Sequence, residues 1–202
     1  MFSKTLEFKI NKMFSELNNK ALKISENSTT LKITTNRIND LVLSEISTRS
    51  KTMMSEMYTV LSKEVLDSLD NTSQRNNFYE ANLRQELFDK YSSKIPNKRI
   101  NITEYNRLKL SMIISSIVMI LGFLFVFILS PKSILIPNIL ILVLSIGVFY
   151  VLYFKVIKEI NKRKSSTAIN NYMKQIKSEY IKWLNEVELY FNKRVIELKQ
   201  KI

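Results

Sequence analysis

The side chains that carry most protein chemistry are missing from this chain of 202 residues. It has no cysteine and no histidine. That removes thiolate nucleophiles, disulfides, thiolate and imidazole metal ligands, and the usual general base near neutral pH. Carboxylates are present but scattered. Glu64, Asp67 and Asp70 recur at i+3 on one predicted helix, a spacing that can set two carboxylates on one cation or simply form a solvated helix face. The solvated face is the commoner outcome, and no apolar pocket beside these acids is legible. Both glycines, Gly122 and Gly147, lie inside apolar stretches, so no polar segment can form the glycine-rich turn that brings backbone N–H groups onto a phosphate. The expectation is therefore no catalytic residue, no cofactor, no metal site and no enzymatic activity.

The chemistry that remains is that of charge and apolar surface. Two blocks dominate, residues 110–129 (LSMIISSIVMILGFLFVFIL) and 134–154 (ILIPNILILVLSIGVFYVLYF). Each holds roughly 20 residues, which as helix spans a hydrocarbon core of about 30 Å. Neither contains Asp, Glu, Lys or Arg. The apolar residues of the first block together favour insertion by on the order of 4–8 kcal/mol, which Ser111, Ser115 and Ser116 do not reverse. A pair of buried core helices in a soluble protein is the competing reading, but the rest of the chain is too polar to enclose them. Both blocks sit mid-chain behind a charged amphipathic segment, unlike a signal peptide. The link Ser130-Pro131-Lys132-Ser133 reads as a turn, with Ser130 as cap and Pro131 at the first helical position. Pro137 offers an alternative start for the second span.

Charge orients this hairpin. Lys94, Lys98, Arg99, Arg107 and Lys109 precede the first span, opposed by Glu104 alone; Lys155, Lys158, Lys162, Arg163 and Lys164 follow the second, opposed by Glu159 alone. The turn carries only Lys132. Lys and Arg stay on the cytoplasmic side, or the matrix side in an organelle, so both termini are expected there. Topology signal is the commoner role for such clusters. Recruitment of anionic lipid is the sharper one. Nucleic acid is not expected as a partner, although the net charge is +13, because the excess hugs the predicted membrane surface rather than forming a basic stripe on a soluble face.

The expected fold is all-α. Residues 1–102 form a helical, coiled-coil arm; 103–164 form the transmembrane hairpin; 165–202 form an amphipathic helix on the same side of the membrane. In the first arm, Ile10, Leu17, Ile24, Leu31 and Ile38 occupy one heptad position, with Phe14, Ala21, Ser28, Thr35 and Val42 four residues after each. Ser28 and Thr35 weaken its middle, and residues 27–30 are a candidate break. Residues 71–77 read as a further break, followed by one short helix holding Phe78, Leu83, Leu87 and Tyr91. Residues 92–102 read as a loop, and Thr103 as the cap of the first span. In the last arm, Ser165-Ser166-Thr167 reads as a break or cap. Beyond it Tyr172, Tyr180, Trp183, Tyr190 and Phe191 form an aromatic stripe, expected to pack on the first arm rather than lie in headgroups. Within the spans, Ser115 and Gly122, and Ser145 and Gly147, form small-residue faces suited to close helix packing.

No residue motif identifies a family. The layout of helical arm, two-span hairpin and helical arm resembles the tail of mitofusin-type fusion GTPases, the hairpin effectors that intracellular bacteria insert into vacuoles, and the two-span pore of the mitochondrial calcium uniporter. The uniporter's acidic loop has no counterpart in Ser130-Pro131-Lys132-Ser133. The functional expectation is a membrane-anchored helical scaffold whose partners are the bilayer, anionic lipid, and a second copy or another helical protein. The alternative is an oligomeric pore or membrane-perturbing effector.

Overall fold

The computed structural model describes residues 4–27, 31–69, 71–129 and 135–200. Among these the fold is all-helical, without strands. The elements are α1 (Lys4–Asn27), α2 (Leu31–Asp67), α3 (Thr72–Glu80), α4 (Leu83–Tyr91), a 3-10 turn (Ser92–Lys94), α5 (Arg107–Leu129), α6 (Leu135–Val151), a π-helical stretch (Leu152–Val156) and α7 (Ile157–Gln200). They divide into two compact units: Met1–Asn101 with Ile169–Ile202, and Ile102–Ala168.

The first unit is a bundle whose register can be read from its side chains. Lys9 bonds Glu56 at 2.8 Å, Arg49 bonds Glu16 at 3.4 Å, and Lys20 bonds Glu45 at 3.1 Å. As the α1 number rises the α2 number falls, so the two helices are antiparallel. These ion pairs are half-exposed, and each is worth only about 0.2–1 kcal/mol; they fix alignment more than stability. Stability comes from the stripe beneath them, where Ile10, Phe14, Leu17 and Ala21 of α1 and Ile38, Val42, Ile46, Met54 and Met57 of α2 are buried. Large apolar side chains fully removed from water contribute roughly 1.5–3 kcal/mol each.

The predicted aromatic stripe of α7 fills the other side of this core. Tyr180 meets Phe14 and Met53, Phe191 meets Tyr58, and Lys199 meets Ser68, so this part of α7 runs parallel to α2. The fourth column is composite. Phe78 in α3 stacks edge-on to Phe191, Arg194 bonds Glu86 in α4 at 3.0 Å, Trp183 Nε1 donates to Tyr91 O at 3.1 Å, and Tyr172 Oη donates to Lys98 O at 2.8 Å. Carbonyls that end or leave the helical column thus receive side-chain donors instead of water.

The extended stretch after the 3-10 turn is held by Asn39. Its Nδ2 donates to Ile100 O at 3.1 Å, and Ile100 N–H donates to its Oδ1 at 2.8 Å, both buried. One side chain thereby does for Ile100 what a neighbouring strand would do. Asn39→Ala strands two buried backbone groups, so the first unit is expected to lose about 2–4 kcal/mol. Trypsin is expected to cut the variant faster after Lys98 and Arg99, whereas Asn39→Asp, which keeps one acceptor, falls between. Equal cleavage rates in all three proteins would show that the pair holds nothing.

The candidate break at residues 27–30 falls where α1 ends at Asn27 and α2 begins at Leu31, with residues 28–30 outside the described residues. Several other expectations need correction. Residues 71–77 are not a break but the start of α3. The Asn71 side chain accepts from Ser73 N–H at 3.0 Å as an N-cap, and Phe78 is buried. The single short helix is two, joined at Asn82, whose φ of 42° is a left-handed conformation that Asn tolerates better than most residues. Ser165-Ser166-Thr167 does not interrupt α7, which runs 44 residues; no Gly or Pro follows Gly147, and hydroxyl side chains alone do not stop a helix anchored by packing. Asp70 and Ser130-Pro131-Lys132-Ser133 lie outside the described residues.

Three tyrosines, two of them buried, give the first unit an alkaline limit. Burial and the neighbouring Glu179 carboxylate push Tyr172 up to about 12. Burial pushes Tyr180 up to about 12, against a lowering contribution from Ser50. The hydrogen bond to Glu86, then burial, pushes Tyr190 to about 12. An acid whose folded pKa lies above its unfolded value stabilises the fold fully below the unfolded value, and that stabilisation is lost as pH rises towards the folded one. Between about pH 10 and 12, tyrosinate absorbance from these residues is expected to appear together with loss of helical circular dichroism. Ionisation of Tyr172 and Tyr180 before any loss of helix would contradict their burial.

Candidate membrane segment

The second unit contains the apolar blocks. Its helices begin with a clamp like the one at Asn39. Tyr105 N–H donates to Asn161 Oδ1 and Asn161 Nδ2 donates to Tyr105 O, each at 3.0 Å. This holds the chain extended as far as Tyr105, which is why Thr103 does not cap α5. Asn106 does so instead, accepting from Lys109 N–H at 3.1 Å.

Beside each other, α5 and α6 bury only Ser111 and Ser145 among their described residues. Ser115, Met119, Gly122 and Val126 of α5 and Asn138, Ile141 and Val148 of α6 are among the residues that are half-buried. At Gly122 the two helices approach closely: a Cβ there would lie 2.7 Å from Ile141 Cγ2. The small-residue stripe therefore has different meanings along its length. Ser111 and Ser145 are buried and bond carbonyls of their own helices, Arg107 O at 2.7 Å and Leu142 O at 2.9 Å. Ser115 is half-buried and bonds Met112 O at 3.2 Å. A Cβ on Gly147 would meet nothing within 4 Å, so no close approach requires glycine there.

Outside this stripe both helices present bare hydrocarbon. Leu121, Leu124, Phe125, Phe127 and Ile128 of α5, and Ile139, Leu140, Val143, Leu144 and Ile146 of α6, are exposed. Two helices are long and apolar enough to cross a membrane, and only 11% and 6% of the residues in their most apolar windows are buried. A core helix of a soluble protein would show the opposite.

The predicted flanking cations fall into two sets. Lys94, Lys98 and Arg99 belong to the first unit, where Lys98 pairs with Glu179 at 3.6 Å and Lys94 Nζ lies 5.2 Å from the Tyr91 ring centroid. Arg107, Lys109, Lys155, Lys158, Lys162, Arg163 and Lys164 belong to the second. There Arg163 pairs with Glu159 one helical turn back at 3.3 Å, and Lys164 Nζ sits 4.2 Å over the Tyr105 ring. Lys155 falls within the π-helical stretch, where the apolar span ends.

Among the described residues no three His, Cys, Asp or Glu side chains converge as metal ligands. A groove of about 630 Å³ lies in the first unit between α1, α2 and Glu188 of α7, with Leu6, Met57, Val60 and Leu61 as its apolar wall. The clamps at Asn39 and Asn161 are the positioning residues that sequence reasoning missed. Their signal was an asparagine at a core position: Asn161 and Ser165 continue the four-residue spacing of Ile157 and Ile169. No protein-family model, curated protein or solved structure matches the chain.

Proposed function

We propose that this chain is a non-catalytic integral membrane protein, anchored by a two-span helical hairpin, whose bundle serves as an interaction scaffold. Its termini then share the cytoplasmic side, or the matrix side in an organelle. The observation carrying this reading is that two apolar helices bury only 11% and 6% of the residues in their most apolar windows. In water that surface far exceeds what a soluble protein leaves uncovered; in lipid it is the required outer face. Both buried hydroxyls bond within their own helix, which suits a medium without water. The positive flanks support the orientation.

The absence of native cysteine makes the topology directly measurable. Single cysteines at Ser73 and Ser166 are expected to react with an impermeant maleimide only from the cytoplasmic face, and one at Ser133 only from the opposite face. Labelling of Ser73 and Ser133 from one side would end the two-span reading. Cross-linking of the membrane-embedded protein is expected to capture a second copy or a helical partner through the bundle. Dye release from liposomes that Gly122→Leu abolishes would replace the scaffold with a pore.

A further inference from the structure

We infer that the second unit binds the headgroups of anionic phospholipids, with Lys109, Lys155 and Lys158 as the principal contacts. This rests on the membrane reading above and names the lipid class that the same segment selects. The two units differ in charge balance. The first carries 23 cations and 16 carboxylates, and Lys9, Lys20, Arg49, Lys98 and Arg194 each have a carboxylate within 3.6 Å. In the second, eight cations accompany two carboxylates, Glu104 and Glu159. Glu159 is taken by Arg163, and Glu104 Oε1 lies 3.5 Å from Ser165 Oγ.

Lys109, Lys155 and Lys158 are exposed and meet no carboxylate among the described residues. All three flank the ends of the apolar helices, where low-dielectric hydrocarbon strengthens the repulsion between like charges. The counter-charge must come from outside the unit. Tyr105 marks the depth at which it would sit: its ring is half-exposed, its backbone is fixed by both bonds to Asn161, and Lys164 lies over its face. An aromatic ring beside lysines is the pairing that lipid headgroups accept at the interface. An anionic headgroup offers phosphate oxygens in that layer at high local concentration, and basic residues next to a membrane segment draw such lipids from the leaflet. A soluble polyanion would have to approach the same lysines against a surface bounded on one side by lipid.

The test uses the full chain reconstituted in phosphatidylcholine with a minor fraction of phosphatidylglycerol, read by spin-labelled versions of each lipid. A motionally restricted component reports insertion, and its preference for one headgroup reports selectivity. Wild type is expected to prefer phosphatidylglycerol by about threefold or more, with the preference falling as salt rises. The triple variant Lys109→Gln, Lys155→Gln, Lys158→Gln is expected to show equal affinities while keeping its restricted component. Replacing the same three residues by Arg is expected to keep the preference, and a retained restricted component with unchanged helical circular dichroism certifies the fold of each variant. Equal affinities in wild type, or a preference that survives in the glutamine variant, would overturn this inference while leaving insertion intact. Absence of any restricted component would overturn both.

Discussion

Lysine at Leu124, Phe125, Val143 and Leu144 together is expected to release the protein from membranes. Each of these residues is an exposed apolar side chain, between 54% and 65% accessible. At mid-membrane such a residue favours insertion by about 0.3–0.6 kcal/mol, whereas a lysine opposes it by about 2.5–3.5 kcal/mol. Two replacements in one helix therefore cost about 6–8 kcal/mol, comparable with everything the first apolar block gains by entering lipid. The four-lysine variant is expected to move from the carbonate-resistant pellet to the supernatant. The Leu124/Phe125 pair alone leaves α6 apolar, so that variant is expected to stay in the pellet. A soluble protein would respond in the opposite way: lysine at an exposed position costs little and improves solubility. Undiminished carbonate resistance in the four-lysine variant would remove lipid as the cover for these helices.

The two apolar helices were legible because nothing about them depends on tertiary context. Length, absence of charge and an almost unbroken run of Leu, Ile, Phe and Val settle the matter locally. The bundle was legible only in part, for reasons that lie in particular residues. The core stripe of α1 and α2 follows heptad spacing, but spacing does not say whether a helix continues or turns back; the antiparallel register shows in the ion pairs among Lys9, Glu16, Lys20, Glu45, Arg49 and Glu56. Asn71 to Asn77 has poor intrinsic helix propensity, and a cap from Asn71 together with burial of Phe78 overrides it. Ser165-Ser166-Thr167 carries the composition of a boundary, yet Ser165 is a core position between Asn161 and Ile169. Of the candidate site residues, the cations were legible as a flank, but their division between two units was not, because sequence order hides that Asn101 and Ile102 fall on opposite sides of the partition. Asn39 and Asn161 showed only as asparagines at core positions, because what they hold is backbone 61 and 56 residues away.

Tyr180→Ala is expected to be the most damaging single substitution in the first unit. Tyr180 is fully buried, with Phe14 at 5.6 Å and Trp183 at 5.4 Å between ring centroids, and its hydroxyl donates to Met53 Sδ at 3.3 Å. It thus joins α1, α2 and α7 at one point. Removing the ring leaves a cavity among side chains whose helices are also held elsewhere, so collapse is incomplete and the cost is about 3–5 kcal/mol. Tyr180→Phe keeps the ring and gives up a bond to a weak thioether acceptor, a loss of about 1 kcal/mol or less. Trp183 is the sole tryptophan and is itself buried beside Tyr180, so its fluorescence reports unfolding of this unit alone. In urea the Ala variant is expected to show a much lower Trp183 midpoint than the Phe variant, while both remain carbonate-resistant, because α5 and α6 pack on each other independently of this core. Equal midpoints for the two variants would mean that the ring does not join the helices, and a matching loss of carbonate resistance would mean that the bundle and the apolar pair do not fold as separate units.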